Sequence, residues 1–248
     1  MGECLKPWFL LTFLVALTAC APSGPASGVW RPGADAPPTT PIPGPLPGFG
    51  PFHSFSEALQ AACPFILSKP NAVAGHLRDR DPRLAFRAST EYCAWLYYTP
   101  DHLYEMSMLT DQSAPDDLVS GKRSCILPAV VADARYAPGE LKYIFALHNH
   151  PFGGPPSPGD LRFTDEMARM HAWAIETRDS KVLLSIIAFF SMSGDAENPT
   201  CDGFYQYVPA TRDMLKWARA DKGWTRETLG TVTWINTTTY RLDKKPRR

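Results

Sequence analysis

Leu141-Lys142-Tyr143-Ile144-Phe145-Ala146-Leu147-His148-Asn149-His150-Pro151-Phe152-Gly153-Gly154-Pro155-Pro156-Ser157-Pro158-Gly159-Asp160 is the stretch on which the reading of this chain turns. Residues 141–150 are apolar and aromatic enough for a strand, and residues 151–160 carry the glycine and proline of a loop. LRFTDEMARMHAWAIE (161–176) then has helical spacing, with Phe163, Met167, Met170 and Ala174 on one face. Side chains two apart on a strand point the same way, so His148 and His150 can reach a single metal ion. The loop returns a carboxylate, Asp160. Two neutral nitrogens and one oxygen, with a fourth position left for water, suit a catalytic zinc better than a structural one. Ser157-Pro158-Gly159-Asp160 is also a good helix start: serine at the cap, proline in the first turn and an acid at the third position. The two readings are compatible, because a ligand needs a rigid platform.

His148-Asn149-His150-Pro151 followed by Ser157-Pro158-Gly159-Asp160 resembles the HxHP and SxxD signature of the JAMM/MPN-plus (JAB) zinc metallopeptidases. That family includes deubiquitinating isopeptidases, bacterial sulfur-carrier and peptide hydrolases, and the RadC group, which shares the HNHP wording. The strand before and the helix after also follow the family order, and the likeness covers roughly residues 85–210. The interval between His150 and Asp160 is slightly shorter than is usual there. The resemblance implies an α+β, cytidine-deaminase-like mixed sheet flanked by helices. It also implies Zn2+ on His148, His150 and Asp160, and hydrolysis of amide, peptide or isopeptide bonds in a peptide or protein substrate. The family's catalytic glutamate lies on an early strand. Glu91-Tyr92-Cys93-Ala94-Trp95-Leu96 matches that pattern, with Ala94 where glycine is common, which makes Glu91 the general acid/base. Glu105 is the competing carboxylate. Ser157 becomes a hydrogen-bond donor to the carbonyl oxygen as it gains charge. Members lacking the zinc residues serve as binding or scaffolding modules, which is the alternative function.

Outward from this segment, Ser54 and Glu57 begin a helix running to about Leu67, followed by a polar connector. Strands are expected over 90–98, 102–109, 124–132, 182–192, 204–208 and 231–242, with a short helix near 211–220. These elements place one domain at residues 52–248.

Residues 8–17 (WFLLTFLVAL) form an apolar run of signal-peptide length, ending in Leu17-Thr18-Ala19-Cys20. That ending resembles a bacterial lipobox, so residues 1–19 are expected to be a lipoprotein signal peptide. Cys20 is then the lipidated first mature residue, holding the protein to the membrane of the cell envelope. Ala21 favours outer-membrane sorting. Between Ala21 and Pro51, ten of 31 residues are proline and six are glycine. No apolar period survives there, so residues 20–51 read as an extended tether. Four cysteines remain, Cys63, Cys93, Cys125 and Cys201, suggesting two disulfides of unspecified pairing in an oxidising compartment. Twenty-five basic residues balance 25 acidic ones, which leaves no electrostatic footprint for nucleic acid.

Overall fold

The computed structural model describes residues 25–114, 117, 123–137, 139–221 and 223–244. The expected signal segment and Cys20 therefore lie outside the described residues. In chain order the elements are β1 (Ile42–Gly44), α1 (Phe55–Leu67), α2 (Leu77–Arg80), α3 (Pro82–Ala88), β2 (Cys93–Tyr98), β3 (Tyr104–Met106), β4 (Val131–Asp133) and β5 (Lys142–Asn149). There follow α4 (Pro158–His171), β6 (Ala174–Glu176), β7 (Lys181–Leu183), β8 (Ser185–Phe190), β9 (Gly203–Val208), β10 (Asp213–Ala220), β11 (Gly223–Asn236) and β12 (Thr239–Asp243). The architecture is α+β: a mixed eight-stranded sheet ordered β12-β11-β10-β9-β8-β5-β2-β3, with few helices.

Strand period divides the core. In β2, Cys93, Trp95 and Tyr97 enter one cluster with Leu161, Met167 and Ala168 of α4. Ala94, Leu96 and Tyr98 enter the other, with Leu59, Ile66 and Leu67 of α1. Ser54 caps α1 by accepting the Glu57 amide at 3.2 Å. β5 lies between β2 and β8, antiparallel to the first and parallel to the second. α4 lies in the crossover from β5 to β8, so it covers the sheet face that carries Trp95 and Ala146.

Several sequence expectations change. The proline-rich residues 25–51 are not an extended spacer over their described length. Val29, Ile42, Leu46 and Phe49 are all buried, and Ile42 pairs with Val131 as β1 joins β4. The Leu46 amide bonds the Met106 carbonyl at 2.7 Å, and Met108 bonds Pro43 at 2.8 Å. Four irregularly spaced apolar residues dock one by one, Val29 beside Leu109, Ile42 on β4 and Leu46 on the edge strand β3. Such docking leaves no period to read, and a proline-rich segment suits an edge that must not pair further. Of the stretch 211–220, Asp213–Ala220 is a strand, β10, because pairing with β9 and β11 overrides the helix propensity of MLKWARA. The run 182–192 breaks at Leu184 into β7, which forms a hairpin with β6, and the central β8. Only Val131–Asp133 of the expected 124–132 strand pairs as one. The helix ends at His171, where Ala172 takes φ +94°, and its buried stripe is Leu161, Thr164, Met167 and Ala168. Met170 points to solvent.

Candidate metal centre

β5 delivers the two histidines to the middle of the sheet. His148 sits opposite Cys93 on one side and Ala188 on the other. The His150 amide donates to the Phe189 carbonyl at 2.9 Å. After Pro151 the chain turns through Gly153 (φ +70°) and Gly154 (φ +107°), left-handed positions that cost glycine little. That turn sets the Gly154 carbonyl 3.0 Å from His150 Nδ1. α4 then opens with a capping box. Ser157 Oγ accepts the Asp160 amide at 3.2 Å, and Asp160 Oδ2 accepts the Ser157 amide at 2.7 Å. The same Oδ2 lies 3.7 Å from His148 Nε2 and 3.5 Å from His150 Nε2, and these two nitrogens are 2.8 Å apart. One ligand atom from each residue fits within a 4.8 Å group that could hold a metal ion.

Burial and mutual charge tune these groups. Burial pushes His148 down to about 4; Asp160 opposes the shift and His150 adds to it. Burial also resists protonation of His150, but hydrogen bonding and charge from Asp160 outweigh it and raise the ring. Asp160 resists burial's upward push through both histidines and the Ser157 amide, and stays well below the usual carboxylate range. A neutral His148 and an ionised Asp160 are the states a cation requires. The Gly154 carbonyl orients the His150 ring so that Nε2 faces the group, the usual outer support of a ligating histidine. His148 Nδ1 is buried without a partner of regular hydrogen-bond geometry, though the Ile187 backbone acts on the ring. Two convergent imidazole nitrogens and one carboxylate oxygen fit a divalent ion with a position to spare.

Glu91 precedes β2 and is 7% exposed. Burial pushes it up to about 7; His150 lowers it, and Asp160 and Asp117 raise it. The metal-ligand group and Glu91 are therefore electrostatically coupled. Glu105 is elsewhere: on β3 it pairs with Arg135, which also binds Asp133. Tyr97 donates to Asp133 at 3.1 Å, completing a structural charge cluster. Ser157 caps α4 with its oxygen and also lines a pocket beside His148, and a hydroxyl that accepts in this way keeps a hydrogen to donate.

Asn149 was not singled out from the sequence. It alternates away from the two histidines and is fully buried. Its Oδ1 accepts the Tyr92 amide at 2.7 Å. Its Nδ2 donates to Ala72 at 2.7 Å and Thr90 at 3.0 Å. The backbone is thus held on both sides of Glu91. The one available signal was its polarity at the inward position between two apolar strands.

The cysteines pair as Cys63–Cys201 and Cys93–Cys125. The second bond ties residues 124–127 to the strand next to His148. Those residues wall a pocket of about 290 Å3, together with His148, Asp160, Ser157 and Phe163. His150 and Glu91 do not line it. On the far side of the loop, Tyr240 of β12 donates to the Pro156 carbonyl at 2.8 Å, and Arg162 bonds the Thr237 carbonyl. Comparison with protein-family models, curated proteins and solved structures gives no match.

Proposed function

We propose that the chain is a zinc-dependent hydrolase of amide, peptide or isopeptide bonds, of the JAMM/MPN-plus kind. The observation that carries this reading is the convergence of His148, His150 and Asp160, with Glu91 buried within range of the same charges. The histidines at the end of β5, Asp160 in the first turn of α4 and β8 parallel to β5 follow the order of the family likeness, whereas Glu91 lies two residues ahead of β2 rather than on the expected strand 90–98. Mixed nitrogen and oxygen donors favour zinc over magnesium or calcium, which prefer oxygen alone. When bound, zinc supplies Lewis acidity, drawing electron density from a carbonyl and acidifying water. Glu91, poised near neutrality, takes a proton from water and returns it to the leaving amine. The Ser157 hydroxyl donates to the carbonyl oxygen. The backbone clamp by Asn149 keeps Glu91 in place.

Two disulfides support an oxidising compartment, in keeping with a lipoprotein of the bacterial cell envelope held through Cys20. Envelope peptides or small conjugated proteins are then the substrates within reach. The test uses the protein purified from an oxidising compartment, supplied with zinc and a mixed peptide and isopeptide pool. New termini should form, stop with a chelator and resume on zinc addition. Zinc retained without any cleavage would favour the scaffolding alternative.

A further inference from the structure

The pocket beside the candidate ligands is large for water, whose share of liquid volume is about 30 Å3. At about 290 Å3 it has room for a bulky side chain. Among the described residues, its lining contains no charged residue apart from His148 and Asp160. Ile126, Leu127, Phe163 and Ile186 are among the apolar residues of its wall. Ile186 belongs to the sheet core, Phe163 leans on Trp95 with ring centroids 6.0 Å apart, and Ile126 is 47% exposed at the rim. The Cys93–Cys125 bond holds this wall to β2, the strand paired with the one that carries His148. Against the wall away from His148 and Asp160, a charged side chain would lose water without gaining an opposite partner, whereas a branched aliphatic or aromatic one would bury apolar area.

Resting on the hydrolase reading above, we propose that this pocket is the specificity subsite and selects substrates with a bulky apolar residue flanking the scissile amide. Ile126, Leu127 and Phe163 are its determining residues, and the disulfide keeps it preformed. The lining includes His148 and Asp160 but neither His150 nor Glu91.

The test reads binding as well as turnover. Zinc-loaded protein is titrated calorimetrically with leucine-bearing and glycine-bearing peptide hydroxamates, the side chain being placed on either side of the chelating group. Leucine should bind at least about tenfold tighter on one side, the scale set by methylene groups in an apolar pocket. Ile126→Asp, at a half-exposed position that the fold tolerates, should shrink the leucine-to-glycine ratio severalfold. Phe163→Ala should shrink it too. Equal affinities, a preference for charged side chains, a ratio unmoved by Ile126→Asp, or no binding of either hydroxamate would each overturn the subsite. A quenched-peptide set separates the two claims. A leucine preference in binding with no peptide cleaved supports the subsite and sinks the hydrolase. Cleavage indifferent to side chain does the opposite.

Discussion

Glu91→Gln lowers turnover by the zinc-loaded protein about 10²- to 10⁴-fold, the range that a positioned general acid/base contributes. Zinc content stays at the wild-type level, because Glu91 is not one of the three converging ligands. The same variant has a second signature, in stability. The Glu91 carboxyl is raised from its ordinary 4.5 to about 7 in the folded, metal-free chain, mainly by burial. A raised acid favours the fold below its unfolded value and loses that contribution as pH climbs through the folded one. Above pH 7 the wild type therefore carries an ionisation cost that glutamine lacks. Metal-free Glu91→Gln should be more stable than wild type at pH 8, by up to roughly 3 kcal/mol, and should lose that advantage below pH 4.5. Urea unfolding at the two pH values checks this. Retained turnover contradicts the catalytic role, and a pH-independent difference contradicts the burial argument.

Asn149→Ala destabilises the fold and disables the site together. Removing the side chain strands the Tyr92 amide and the Ala72 carbonyl in a buried setting and the Thr90 carbonyl in a half-buried one. Each abandoned group costs about 1–3 kcal/mol, so the loss is roughly 3 kcal/mol or more. The thermal midpoint and the urea midpoint both fall. At temperatures where the variant remains folded, zinc binding persists, since both histidines face the other side of β5. Turnover drops because the backbone around Glu91 is no longer held. A stability loss below about 1 kcal/mol, or unaltered turnover by the folded variant, would show that the clamp does not position Glu91.

The strand, loop and helix from Leu141 to His171 were legible because each speaks in its own local code: apolar run, glycine and proline, then capping box. The same code implies that His148, His150 and Asp160 come near one another, as they do in the fold. Glu91 required a resemblance, since nothing local distinguishes it from Glu105; only tertiary pairing with Arg135 separates the two. Asn149 was hidden because its partners, Ala72, Thr90 and Tyr92, are distant in the chain. The docking of residues 25–51 was hidden for a related reason, as single buried residues such as Ile42 and Leu46 carry no periodicity. β10 looked helical because its propensities are, and neighbouring strands decided otherwise. The disulfide pairing was set by the fold, with partners 138 and 32 residues apart.

The docking of the proline-rich segment also governs how the centre should be assayed: residues 25–51 belong with the fold and must be retained. Metal content of the purified protein, beside His148→Ala and His150→Ala, is the most direct test of the account. It predicts about one zinc per chain in the wild type and background levels in both variants, with all three folded by circular dichroism. A folded, zinc-supplied wild type without bound zinc, or variants that keep it, would contradict the metal centre and the hydrolase built on it.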